Sequence, residues 1–273
     1  MDTTVAEHFR GLHAGPEILI LPNCWDTAGA AIMEAAGAKA VATSSAALAW
    51  AHGYPDGDVL PRPVLLAALR EISRVITAPL TADIEGGFTD DLEDLADLIA
   101  AVIDAGAVGV NLEDGRRPPE LHARKLEAAR KAADRAGVPL FINARTDVYL
   151  ERLAEGEAAF NETVARAELY RGAGADGVFV PWPAEAELIG RLAAAIALPL
   201  NVMGRAGVPG AATLRALGVR RVSSGARPFR GAYGALAHWT ADYLRRGDAG
   251  VFDLDGAAPP DFNARFASLP QEP

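Results

Sequence analysis

The sequence predicts a single (β/α)₈ TIM barrel, and three observations carry that prediction. Short β-rich apolar runs alternate eight times with Ala- and Leu-rich helical stretches. The strands are approached alternately through a glycine and through a Pro-Leu pair. The chain has 273 residues, close to the ~250 of one such barrel.

In chain order the strands fall at 18–21, 40–43, 80–83, 109–112, 140–143, 177–180, 200–203 and 221–223. Helices fit near 27–36, 63–76, 91–105, 122–136, 157–172, 184–196, 210–217 and 229–245. Such alternation means parallel strands joined by right-handed crossovers. Eight units favour a closed barrel, which leaves no strand edge; the alternative is an open doubly wound sheet. Gly37, Gly106, Gly174 and Gly218 precede strands 2, 4, 6 and 8, where glycine accepts the left-handed backbone that ends a helix. Pro79, Pro139 and Pro199 precede strands 3, 5 and 7 at even spacing; proline cannot continue a helix and suits the first residue of a strand. The whole chain, 1–273, reads as one domain, with a barrel core at about 16–245 and a C-terminal arm at about 246–273. Gly256, Pro259, Pro260, Pro270 and Pro273 make the arm irregular or helical, of a kind that often packs on a neighbouring subunit.

Half of the residues are apolar and the formal net charge is −10. That charge argues against nucleic acid or an anionic membrane as partner, because phosphate binding needs a basic surface. A small anionic substrate stays open, since a metal or a few arginines reverse the field locally. Cys24 is the single cysteine, which fits a reducing compartment. Residues 1–15 are polar and carry no apolar signal-peptide core, and no run approaches a membrane span. The expectation is a cytoplasmic protein.

Barrel enzymes place their chemistry at the C-terminal strand ends. Asp83 and Glu85 follow strand 3 and, two apart on an extended strand, face one side. Glu113 arrives from strand 4. Three carboxylates in one mouth repel unless a cation sits among them, and hard oxygen ligands suit Mg²⁺. Arg145 enters from strand 5, with a planar guanidinium that matches a carboxylate or phosphonate. Gly86 with Gly87 lets backbone approach a ligand, and Ser44, Ser45 and Ala46 offer hydroxyls and amides to an anionic oxygen. Without a metal, the same acids form an ion-pair network with Arg145.

The runs TSSAALAWAHGYPDGD, TADIEGG, GVNLED and INARTD resemble the isocitrate lyase/phosphoenolpyruvate mutase superfamily, in order and across about residues 16–240. The resemblance implies a barrel with a swapped eighth helix, assembled as a homotetrameric dimer of dimers. It implies Mg²⁺, with Mn²⁺ as the alternative, and a small anionic carboxylate substrate that is or becomes a 2-oxo acid. The implied reaction is lyase or mutase cleavage of a C–C or P–C bond beside a carbonyl, leaving a pyruvate-like enolate. By resemblance Asp83 is the principal metal ligand, with Glu85 and Glu113 as its partners. Arg145 takes the substrate carboxylate, and Ser44, Ser45 and Ala46 hold its oxygens. Asp56 matches the catalytic aspartate of phosphonate-processing members; read alone, its Pro-Asp-Gly setting is equally a turn. Catalytic roles are expected for Asp56, Glu113 and Arg145, and substrate contacts for Asn143 and Gly86, with Arg205 as a second-tier contact.

One departure matters. Lyase members carry a cysteine-bearing gating loop after strand 4, where this chain reads EDGRRPPELHARKLEAAR. The missing cysteine weighs against a standard isocitrate or 2-methylisocitrate lyase mechanism unless another acid substitutes. It leaves oxaloacetate decarboxylase-like and phosphoenolpyruvate mutase-like chemistry open, and also a barrel that binds metal and oxoacid without turnover. His122 and Lys125 border this loop, where the alternatives are an acid or base that reaches the site and, favoured, an exposed helix start; Cys24 is expected to be packing rather than nucleophile.

Overall fold

The computed structural model describes residues 3–253, 260–267 and 269. Helix α1 (Thr3–Ala14) precedes strands β1 (Leu19–Leu21) and β2 (Asn23–Cys24), helix α2 (Thr27–Ala35) and strand β3 (Val41–Thr43). Helices α3 (Ser45–Ala51) and α4 (Arg62–Val75) lead to β4 (Leu80–Asp83), α5 (Leu92–Asp104) and β5 (Ala107–Glu113). Then come α6 (Pro119–Arg135), β6 (Phe141–Arg145), α7 (Gly156–Gly172), β7 (Gly177–Val180) and α8 (Ala186–Ala195). The chain continues through β8 (Leu200–Met203), α9 (Ala211–Ala216), β9 (Arg221–Ser223) and α10 (Arg227–Arg246), then a 3₁₀ turn (Ala249–Phe252) and α11 (Phe262–Ala267).

All strands pair in parallel in the order β1-β9-β8-β7-β6-β5-β4-β3-β2. The first barrel strand is split at Pro22: β1 pairs with β9, and β2 pairs with β3. Proline has no N–H to give to a ladder, but its carbonyl accepts from Ala42 N at 3.0 Å. The two halves therefore close an eight-stranded (β/α)₈ barrel. Gly37, Gly106, Gly174 and Gly218 all take φ between 93° and 104°, the left-handed helix ends their placement predicts.

Side chains alternate along each strand, and the inward set here is polar. Asn23, Thr43, Thr81, Asp83, Asn111, Asn143, Asn201, Arg221 and Ser223 are all buried. The outward faces carry the apolar core against the helices, for example Leu80, Val110, Ile142 and Val178 with Leu69, Ile99 and Leu126.

Two helices, α1 and α3, lie outside the sequence expectation. Helix α1 closes the N-terminal end of the barrel, where Phe9 stands edge-on to Phe141 at 5.7 Å and His13 stacks on Phe141 at 3.8 Å. Helix α3 follows β3 directly, with Ser44 as its N-cap accepting from Ala47 N. Helix α10, expected near 229–245, leans on its own barrel mainly through Phe229, its one buried residue, which meets Trp25 at 5.1 Å and Trp50 at 5.6 Å, while Ile20 on β1 is 61% exposed. The predicted arm is helical at α11, which packs back on this chain through Phe266 and Leu269 and an Arg265–Glu34 ion pair at 2.7 Å. Its residues 254–259, 268 and 270–273 lie outside the described residues.

Candidate active site

A cleft of about 500 Å³ opens at the C-terminal strand ends, lined by Asn23, Ser44, Ser45, Ala46, Asp56, Asp83 and, across from them, Arg145 and Arg205. Trp50 and Phe179 give it aromatic wall. Asp83 ends β4, and its Oδ2 accepts from Ser45 Oγ at 3.0 Å and Ser45 N at 3.4 Å. Its backbone N–H donates to Thr43 Oγ1 at 2.9 Å. The carboxylate is thus fixed by the neighbouring strand end rather than by a cation of the protein. Ser45 Oγ is spent on Asp83, whereas Ser44 Oγ accepts from Ala47 N and keeps its own hydrogen to donate.

Glu85 does not continue the strand. Its φ is +50°, and Gly87 and Phe88 follow at +85° and +58°. The period-2 expectation that placed Glu85 beside Asp83 therefore fails at this turn, because left-handed backbone breaks strand alternation. Glu85 Oε2 instead accepts from Gly57 N at 2.9 Å and from Asp58 N. Asp58 Oδ1 returns the contact by accepting from Gly86 N and Phe88 N, both at 3.0 Å. This reciprocal clasp holds the loop that carries Asp56. Gly86 is explained by the clasp: a Cβ there would meet the Arg117 and Asp58 side chains, and its N–H is spent on Asp58 rather than turned to the cleft. Glu85 Oε1 is buried with no hydrogen-bond partner among the described residues. Burial pushes the Glu85 carboxyl up to about 7, with the Asp83 charge adding to it and the Asp58 N–H opposing.

Arg145 is held on two sides. Its Nε and Nη2 donate to Asp147 at 2.7 and 3.1 Å. Its Nη1 pairs with Glu113 Oε2 at 2.6 Å, an ion pair without the alignment of a hydrogen bond. A guanidinium has five N–H donors; two donate to Asp147 and one faces Glu113, so two stay free for a ligand. Glu113, expected at the metal, is committed to this pair; burial raises its carboxyl well above the ordinary range despite the arginine. Asp147 is positioned in turn by Asp114, which accepts its N–H at 2.9 Å together with Arg166 Nη1 at 2.8 Å and Tyr170 OH at 2.7 Å. Asp56 sits at the exposed rim, where loss of solvent and the Asp83 charge raise its carboxyl.

Other expected residues lie elsewhere. Asn143 is under the cleft, donating to Asn111 Oδ1 at 2.9 Å. His122 and Lys125 are fully buried, not exposed. His122 stands edge-on to Tyr170 at 4.6 Å and burial lowers it to about 4. Lys125 Nζ donates to Thr89 O at 2.6 Å and pairs with Asp90 at 3.0 Å; both pack α6 against its neighbours instead of reaching substrate. Cys24 is buried and its thiol is pushed up to about 12 by burial, so it is packing. Arg205 stacks over Trp182 at 4.8 Å and donates to its carbonyl. Asn111 and Arg221 were not singled out by sequence; their inward parity with Glu113 and Ser223 is the signal that points to them.

Among the described residues no three His, Cys, Asp or Glu side chains form a ready-made metal cage. Mg²⁺ does not need one, since it takes one or two carboxylates and keeps several waters. Asp83 and the orphaned Oε1 of Glu85 are the groups whose chemistry suits it.

A fixed acid and a held arginine stand at the C-terminal mouth, where barrels of this kind carry their chemistry. The profile of the phosphoenolpyruvate phosphomutase family matches residues 9–244, and the chain belongs to that family, within the isocitrate lyase/phosphoenolpyruvate mutase superfamily. An uncharacterized protein of Mycobacterium tuberculosis (strain CDC 1551 / Oshkosh) is 34% identical over 236 residues, covering 84% of this chain and 86% of that one. Carboxyvinyl-carboxyphosphonate phosphorylmutase of Arabidopsis thaliana is 33% identical over 194 residues, covering 66% of this chain and 56% of that one. A Burkholderia cenocepacia J2315 protein solved as a candidate phosphonomutase is 42% identical with a TM-score of 0.83, covering 86% of this chain and 98% of that one. No described helix is long and apolar enough to cross a membrane.

Proposed function

We propose that this chain is a Mg²⁺-dependent lyase or mutase that cleaves or rearranges a C–C or P–C bond beside the carbonyl of a small 2-oxo or phosphono carboxylate. The carrying observation is the Asp83 carboxylate, fixed by Ser45 inside the cleft that Arg145 also lines. Asp83 and Glu85 would hold the ion, with Mn²⁺ as the substitute. When bound, Mg²⁺ supplies positive charge where enolate charge develops. Arg145, positioned by Asp147 and Glu113, turns its two free N–H groups to the substrate carboxylate. Ser44 O–H donates to a substrate oxygen beside Ala46. Asp56, at the rim with a raised carboxyl, is placed to hold or move a proton, and the Glu85–Asp58 clasp keeps it there. Phosphonopyruvate hydrolase, solved with oxalate and Mg²⁺, shares the fold at 22% identity and a TM-score of 0.84.

The β5–α6 connection favours a second reading. It spans only 114–118, and Arg117 within it is spent on Asp58 at 2.8 Å and Asp90 at 2.8 Å. A loop so tied is a poor lid, and the alternative is a barrel that binds metal and oxoacid without turnover. Incubation with oxaloacetate, phosphonopyruvate and 2-methylisocitrate decides between them, with pyruvate release and phosphorus NMR as readouts. The proposal expects turnover of one of them that EDTA abolishes; no turnover with intact oxalate binding favours the second reading. The cytoplasmic setting and a tetramer with exchanged α10 belong to the same proposal. The exposed α10 and Ile20 support the exchange, and sedimentation of a monomer would refute it.

A further inference from the structure

Below the cleft lies a charge that the chemistry above does not use. Arg221, the first residue of β9, is 1% exposed and is the largest fully buried side chain among the described residues. Its Nη2 donates to Asn111 Oδ1 at 3.1 Å. Its Nε and Nη1 are buried with no hydrogen-bond partner among the described residues. Burial pulls the guanidinium down to about 9 against the Asp83 charge, which leaves it cationic at neutral pH. An unpaired buried cation is costly, and an apolar side chain of similar volume would be cheaper to fold. Its place between the two ends of the barrel shows in its neighbours: it helps keep His13 neutral below, and it feels Asp83 above.

Asn111 links that charge to the cleft. Its Oδ1 accepts from Arg221 Nη2 and also from Asn143 Nδ2 at 2.9 Å. A guanidinium only donates, so Arg221 settles which end of the Asn111 amide is oxygen. The amide nitrogen is then turned away from both donors. Asn111 lines the cleft and stands in register beside Asp83.

We propose that Arg221 is a positioning cation: it holds Asn111 with its amide N–H toward the cleft as a donor to an anionic substrate oxygen, and its unpaired charge favours anion over metal there. This rests on the reading that the cleft takes an oxoacid-like anion beside Asp83. A preorganised donor aimed at developing charge stabilises it without reorganisation, and a fixed buried cation strengthens every anion nearby while repelling Mg²⁺.

The test uses the full chain and three readouts: Mg²⁺ affinity alone, oxalate affinity at saturating Mg²⁺, and Tm. Arg221→Met is expected to bind Mg²⁺ more tightly, to bind oxalate about tenfold more weakly, and to melt at or above wild type. Arg221→Lys keeps the charge and is expected to return Mg²⁺ affinity to the wild-type value. Asn111→Leu is expected to lose about tenfold in oxalate affinity with Mg²⁺ affinity unchanged, and it decides alone if Arg221→Met does not fold. Parallel weakening of Mg²⁺ and oxalate, or unchanged oxalate affinity in Arg221→Met and Asn111→Leu, overturns the proposal. Failure of wild type to bind oxalate with Mg²⁺ is read first; it removes the functional reading and this inference with it.

Discussion

The two ends of the barrel are built on opposite terms. At the N-terminal end, α1 seals the strands with Phe9, His13 and Phe141 in mutual ring contact, and burial lowers His13 to about 3 so that it stays neutral. At the C-terminal end, acids face one another, Glu85 keeps an oxygen without a hydrogen-bond partner among the described residues, and the backbone takes positive φ at Glu85, Gly87 and Phe88. Strain and unpaired charge persist only where surrounding structure over-determines them, and they concentrate at functional sites. The floor stabilises the fold; the mouth costs stability and holds the chemistry.

The contrast breaks first at Asp83. Asp83→Ala is expected to lose about a hundredfold or more in Mg²⁺ affinity, beyond the roughly 10–100-fold that loss of an outer-shell partner costs, while Tm stays near wild type because a like-charge neighbour of Glu85 is gone. Calorimetric Mg²⁺ titration and a thermal melt check both; a large fall in Tm with retained metal affinity would reverse the assignment of roles. The mirror substitution is Phe9→Ala, expected to cost about 3–5 kcal/mol in denaturant unfolding with ligand affinities of the folded fraction unchanged.

Acid and base sharpen the same comparison. Glu85 is raised to about 7 from 4.5, so the folded chain holds a proton that the unfolded chain has released across that window. Stability at this group falls as pH rises from about 4.5 to 7, and Mg²⁺, which needs the ionised form, is expected to bind up to about tenfold more tightly per pH unit until about 7. The floor runs the other way. His13 is lowered to about 3 from 6.5, so its contribution to stability is complete above pH 6.5 and is lost as pH falls toward that value. Metal titrations across pH 5–8 and acid unfolding curves separate the two. The smallest effect is expected at Cys24, where Cys24→Ala costs about 1 kcal/mol and leaves oxalate affinity and turnover unchanged.

Much of this was legible in the chain, and the limits are physical. Local signals carried the barrel: glycine at helix ends and proline at strand starts depend on backbone geometry alone, and Gly37, Gly106, Gly174 and Gly218 take the left-handed φ they announce. Asp83, Arg145 and the Ser44–Ala46 segment were legible as residues at strand ends, and all line the cleft. The turn at Glu85 was not legible, because a single φ of +50° takes it out of the strand and residue spacing does not reveal that. Arg221 looked like any polar strand residue in GVRRVSSG; its burial follows only once β9 pairs with β1 and β8 to close the ring. Helix α1 was missed because its apolar face, Ala6 and Phe9, is short and finds its partner Phe141 far along the chain.

The most direct test is a calorimetric titration of oxalate, a flat mimic of the pyruvate enolate, with and without Mg²⁺. Binding that requires Mg²⁺ and disappears in Asp83→Ala is the expected result. Equal binding with and without the metal, or none in either condition, would contradict a metal-assisted enolate site at the mouth of this barrel.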